Sequence, residues 1–158
     1  MDKMIAIFDE SFLTLDRRSR ELLDLVSDAD LYRRPRPIEN SMNPFSVGEY
    51  LLRSAAMVEQ AFGGITTRLW DDPFEWTLPE KLADKASIVA YLDEVEATRK
   101  KGFEYLASDD DLLRAIPAPE KLRSIGEILL ETIEIASHYQ GRAFAVFQML
   151  DDRPLPRL

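Results

Sequence analysis

Apolar side chains recur at helical spacing in four separate stretches of the chain. Between Lys3 and Val26, the residues Phe8, Phe12, Leu15, Leu22 and Val26 fall on one stripe at about 100° per residue, which predicts an amphipathic helix. A second stripe follows Ser46, with Val47, Tyr50, Leu51, Val58, Ala61 and Phe62 on its apolar face. That helix is predicted to reach Phe62 or Leu69, broken or ended near Gly63-Gly64. A third runs from about Ser87 to Leu106 through Ile88, Tyr91, Leu92, Val95, Phe103 and Leu106, with Gly102 an unfavourable helix residue in its last turns. The fourth, Ser124 to about Leu150, is the most apolar. Ile125, Leu129, Ala136, Tyr139, Ala143, Phe147 and Leu150 project to one side, and Glu127, Glu131, Glu134, His138 and Arg142 form a narrow polar stripe on the other.

Two helix starts are written in nearly the same words. Ser46-Val47-Gly48-Glu49-Tyr50-Leu51-Leu52 is echoed by Ser124-Ile125-Gly126-Glu127-Ile128-Leu129-Leu130. Each is a Ser-x-x-Glu capping box, in which the serine oxygen accepts from the third helical N–H and the glutamate accepts from the serine N–H. The likeness weakens downstream, where Arg53 matches Glu131, Ala61 matches Tyr139 and Gly63 matches Gly141. Ser27-Asp28-Ala29-Asp30 predicts a stop and one further turn through Tyr32, and Arg34 to Pro44 reads as a loop. Trp70 to Trp76, rigid at Pro73, reads as aromatic cover over one end of the core, with a ligand-covering flap as the second reading. Arg99-Lys100-Lys101 suits solvent and the helix dipole. Ser108 to Leu113 predicts a single capped turn, and Pro117 and Pro119 mark the connection into the fourth helix.

No stretch shows the strict alternation of a strand, so the predicted class is all-α: one four-helix bundle over residues 1–150, followed by an extended, proline-bearing tail at 151–158. All three connections exceed the 2–8 residues usual in bundles, so long crossovers are open alongside simple up-down order.

Composition narrows the chemistry. The chain has 158 residues, 46% of them apolar, and no run approaching the roughly 18 apolar residues of a membrane helix. With no basic, apolar, cleavable start, the expectation is a cytoplasmic protein without a membrane partner. Absent cysteine excludes disulfides, thiolate metal sites and cysteine nucleophiles. Twenty basic against twenty-nine acidic side chains give a net charge of −9, which disfavours nucleic acid as a partner. The clusters Arg17-Arg18-Ser19-Arg20 and Arg33-Arg34-Pro35-Arg36 read as solvated faces or salt bridges.

The Ser-Val-Gly start of the second helix, the aromatic connection after it and the Gly141 motif late in the fourth together resemble the DinB (DNA-damage-inducible) superfamily, over about Phe12 to Leu150. The resemblance implies a four-helix bundle, frequently a homodimer. In many members three histidines hold a divalent metal such as nickel, zinc or manganese, one from the second helix and two from a His-x-x-x-His pair in the fourth. Some members are thiol-dependent S-transferases or isomerases acting with a low-molecular-weight thiol. Carried over position by position, the ligands fall on Arg53, Ile135 and Tyr139, none of them histidine. The family's metal site therefore reads as lost and no cofactor is predicted, with a metal- and thiol-dependent enzyme of non-standard site as the alternative.

The remaining candidates are few. His138, the one histidine, sits on the polar stripe, and Glu134 one turn earlier is its only i, i+4 acidic neighbour. Glu127, Glu131 and Glu134 lack the Glu-x-x-His spacing of carboxylate-bridged metal pairs. Arg53 stands where a metal histidine would, and a cation pointing inward needs a partner, with Glu49 and Glu131 in reach. An ion pair in place of the metal leaves either a structural plug or a pocket for an anion. Arg53, Glu49, Glu131, His138 and Tyr139 are thus the candidate binding residues. No phosphate loop or nucleophile elbow is present.

Overall fold

The computed structural model describes residues 2–72, 74 and 77–157. Its elements are α1 (Lys3–Leu25), α2 (Val47–Thr67), α3 (Lys85–Glu104), a 3-10 turn (Asp109–Leu113), β1 (Ala115–Pro117), β2 (Leu122–Ser124) and α4 (Ile125–Leu150). The fold is all-α with four long helices, and none of the helices among the described residues is long and apolar enough to cross a membrane.

Both capping boxes form. Ser46 and Ser124 each accept from the backbone N–H three residues on, and Glu49 and Glu127 each accept from their serine N–H. Beyond the boxes the helices depart from expectation in two places. α2 runs through Gly63-Gly64 to Thr67, and its left-handed closing residue is Arg68, at φ 63°. Helix propensity lost at the glycines is small against the buried contacts of Phe62 and Ile65 on either side. The connection between α3 and α4 holds a two-stranded antiparallel hairpin, with Ile116 opposite Arg123, where no strand was expected. Three residues per strand are too few for alternation to appear.

Helix directions follow from end-to-end contacts. Asp109, in the 3-10 turn whose following residue Arg114 accepts from the Ile125 N–H at the start of α4, accepts from the N–H groups of Met4 and Ile5, while Arg153, just after α4, donates to the carbonyl of Leu25. α1 and α4 therefore run the same way. The Gly48 N–H donates to Leu31 and the Tyr32 hydroxyl to Leu82, which brings the starts of α2 and α3 to one end. Arg68 meets the Tyr105 hydroxyl at the other end. α2 and α3 are thus parallel to each other and opposite to α1 and α4, so the connection over residues 68–84 returns the length of the molecule. The long crossover left open by the sequence is this one.

α2 packs most extensively on α4, then on α3, and α1 closes the square against α3 and α4. Phe12, Phe62 and Phe103 meet in the core, with Phe62 5.2 Å from Phe12 and 5.0 Å from Phe103 between ring centroids. The tail after α4 folds back rather than standing free: Arg153 pairs with Asp151, and Leu155 packs against the core.

The Arg99-Lys100-Lys101 expectation needs correction at its first residue. Arg99 is 4% exposed and bonds to Asp9 on α1, because it continues the buried stripe of Leu92 and Val95. The basic cluster of α1 makes the salt bridges expected of it: Arg20 pairs with Asp16 and Asp93 at 2.8 Å each, Arg17 stays exposed, and only Ser19 is buried.

Candidate functional site

Of the residues singled out, Arg53, Glu49, Tyr139 and His138 gather at one end of the α2–α4 pair, whereas Glu131 lies apart, beside the hairpin. Phe45 precedes the Ser46 cap, and Tyr50 is the fourth residue of the helix, the spacing of a hydrophobic staple. Their rings meet edge to face at 5.5 Å. The staple pins Phe45 above the first turn, and the Arg53 guanidinium lies 4.4 Å from its centroid. Phe74, from the connection after α2, presents a second ring to the same guanidinium at 4.6 Å. Arg53 is thus held between two aromatic rings, each contact worth roughly 0.5–1 kcal/mol where water still reaches the pair.

The expected ion pair is not made. Glu49 accepts from Arg34 Nε at 3.0 Å and from the Ser46 N–H at 2.9 Å. Burial opposes its charge, but Arg34 and the Ser46 donors outweigh it and hold the Glu49 carboxyl below the usual glutamate range. Glu131 pairs with Arg123 of β2. Both acids reachable from Arg53 are therefore engaged elsewhere, and no carboxylate or other acceptor bonds Arg53 among the described residues. The geometric reason is that the loop over residues 33–46 brings Arg34 to the cap and the hairpin brings Arg123 to α4.

Beside this sandwich, Tyr139 stacks on Tyr50 at 6.4 Å between centroids, and His138 meets Tyr139 edge-on at 6.0 Å. Arg142 Nε donates to His138 Nε2 at 2.9 Å and lies 5.9 Å from the Tyr50 ring. His138 is exposed, as the polar-stripe projection requires, and its ring is engaged by Arg142 rather than by Glu134. Ile135 takes no part in the cluster; it lines a separate pocket with Met57. Among the described residues no three His, Asp or Glu side chains converge as metal ligands.

Phe45, Phe74, Arg34 and Arg142 complete the cluster and were missed in the sequence. Phe45 had a readable signal, the staple spacing to Tyr50. Phe74 had none, since its position depends on how the long return connection crosses α2.

The second concave feature lies further along the α2–α4 pair. A pocket of about 150 Å³ is lined by Met57, Ala61, Trp70, Ile128, Thr132 and Ile135, and it opens into a recess of about 380 Å³ shared at Arg123 and Glu131. Trp70 forms one wall, its indole N–H donating to the Pro117 carbonyl at 3.1 Å and its ring lying where a β-carbon on Gly64 would sit. Trp70 thus covers the α2–α4 seam, while Trp76 and Pro73, read with it as a cover, lie outside the described residues.

No protein-family model and no curated protein matches the chain. Fold and site together define an all-α, four-helix protein with a cationic–aromatic cluster at one end of its α2–α4 pair.

Proposed function

We propose that the chain is a DinB-like bundle that has exchanged the family's metal centre for a metal-free small-ligand site, with Arg53 as the group that binds an anion. The observation that carries the reading is the Arg53 guanidinium, held against Phe45 and Phe74 with no hydrogen-bond acceptor among the described residues. Stacking fixes the plane of the fork and leaves its donors free for a carboxylate or phosphate, which an arginine engages in bidentate fashion. Glu49, capped and paired with Arg34, shapes the site without cancelling the Arg53 charge. Tyr139 and His138 flank it through Tyr50 and Arg142, and Glu131 lies beyond it as the partner of Arg123. The protein acts in the cytoplasm as a homodimer, carrying out no metal chemistry of its own.

The test uses tag-free protein, since a histidine tag itself supplies metal. Metal content is measured together with the rise in melting temperature on titration with inorganic phosphate and with acetate at constant ionic strength. Sub-stoichiometric metal and a saturable rise that Arg53→Lys abolishes support the reading. Stoichiometric nickel, zinc or manganese with thiol-transfer activity supports the alternative enzyme and overturns it. Sedimentation of the same sample reports the dimer.

A further inference from the structure

We infer that the pocket between α2, α4 and the hairpin binds a hydrophobic α-amino acid in its zwitterionic form. The inference shares no residue with the Arg53 site and stands or falls separately from it.

The inner part of the pocket asks for an apolar group. Met57, Ala61, Ile128 and Ile135 line it, and its two uncharged polar residues are already bonded within the protein. Thr132 donates to the Ile128 carbonyl at 2.7 Å, and the Gln60 amide donates to the Asp71 carbonyl at 3.1 Å. A ligand group entering there finds the Thr132 hydroxyl proton and one Gln60 N–H already committed, so a polar group recovers only part of the hydration it loses, whereas an apolar group loses nothing. The volume, about 150 Å³, sets the size. An apolar cavity of roughly that volume holds one benzene ring, so a phenyl or branched four-carbon side chain fits and a fused ring system does not.

The outer recess asks for two charges of opposite sign. Its rim carries Lys121 and Arg123 against Glu120 and Glu131. A ligand with only a carboxylate would face both glutamates, and one with only an ammonium would face both cations. A head group bearing both charges, one bond apart on the same carbon, satisfies each pair. The Arg123–Glu131 ion pair at the boundary has side chains 26% and 48% exposed, so exchanging it for contacts to a ligand costs little. Trp70 is the fixed wall, tied to Pro117 and seated on Gly64, and therefore reports occupancy.

L-phenylalanine is the probe, titrated against the full chain and followed by tryptophan fluorescence and calorimetry. 3-Phenylpropionate, phenethylamine and L-alanine serve as comparators. Saturable binding of L-phenylalanine, at least tenfold tighter than any of the three, is expected. Ile135→Trp, at a half-buried position, should fill the pocket and abolish binding with the melting temperature held. Should that variant fail to fold, Met57→Phe, also half-buried, replaces it. Glu131→Gln should weaken L-phenylalanine several-fold and leave 3-phenylpropionate unaffected or improved. Equal affinity for phenylalanine and the singly charged analogues, binding that survives both filling variants, or no saturable binding would each overturn the inference. A phosphate response through Arg53 that persists in Ile135→Trp separates this outcome from that of the Arg53 site.

Discussion

The Phe62 ring on α2 rests against the bare α-carbon of Gly102 on α3, closer than any β-carbon there would allow. Glycine in a helix interior usually costs about 1 kcal/mol relative to alanine. Here it seats the central ring of the Phe12–Phe62–Phe103 cluster. Gly102→Ala is therefore expected to destabilise: overpacking of about 1–3 kcal/mol outweighs the gain in propensity. Gly141 on α4 gives the opposite sign, since it is exposed and a β-carbon would meet nothing within 4 Å. Gly141→Ala should stabilise by up to about 1 kcal/mol. Urea midpoints of the two variants check both, and Phe62→Leu added to Gly102→Ala should recover part of the loss.

Gly102 marks the boundary of what the sequence discloses. A helix stripe with a glycine in it is legible; the ring that needs the glycine sits forty residues away and is not. The same holds elsewhere. The Ser46 and Ser124 boxes were legible because their partners lie three residues on, and the buried faces of all four helices followed from spacing. The pairings of Glu49 with Arg34 and of Glu131 with Arg123 were not, because each depends on where an irregular connection crosses a helix. Arg99 is intermediate: its place on the Leu92–Val95 stripe predicts burial, but its basic neighbours Lys100 and Lys101 disguised it. In the candidate site, only the Phe45–Tyr50 staple was within reach of local pattern.

The Arg99–Asp9 pair should respond asymmetrically to its two removals. Arg99 is 5% exposed at its side chain and Asp9 32%, and Arg99 Nε is buried without a hydrogen-bond partner. Asp9→Asn strands a buried cation, an effect of about 3–5 kcal/mol for fully buried pairs and less here because Asp9 keeps partial contact with water. Arg99→Met removes the charge and keeps the packing volume, so stability should change by no more than about 1 kcal/mol in either direction. Equal losses in the two variants, by chemical denaturation, would show that the pair itself stabilises the α1–α3 contact.

Two carboxylates should give pH dependences of opposite sign. Glu49 is held below its ordinary value of 4.5, so its contribution is complete above that pH and is lost as pH falls through the folded value. The stability difference between the wild type and Glu49→Gln should thus be largest near about pH 7 and shrink in acid. Asp16 is raised from 3.8, chiefly by burial, which overrides its bond to Arg20. Its contribution is greatest below 3.8 and declines as pH rises through the folded value, so the wild type should gain on Asp16→Asn in acid. Denaturation midpoints measured from about pH 7 to about pH 3 read both slopes.

The clamp on Arg53 makes a prediction independent of any ligand. If the two rings hold the guanidinium, the pairs Phe45–Arg53 and Phe74–Arg53 should each show a coupling of about 0.5–1 kcal/mol in double-mutant cycles to alanine. The single variants should differ. Phe45→Ala also removes the staple to Tyr50 and exposes the start of α2, so it should cost more than Phe74→Ala. Arg53→Lys should retain only part of each coupling, because an ammonium stacks less well than a planar guanidinium. High salt provides the final discrimination: contact with a ring face is screened weakly, whereas an exposed ion pair to Glu49 would fade within a Debye length of about 3 Å at 1 M. Couplings that survive 1 M salt place Arg53 with the rings, and couplings that vanish there would return it to a carboxylate.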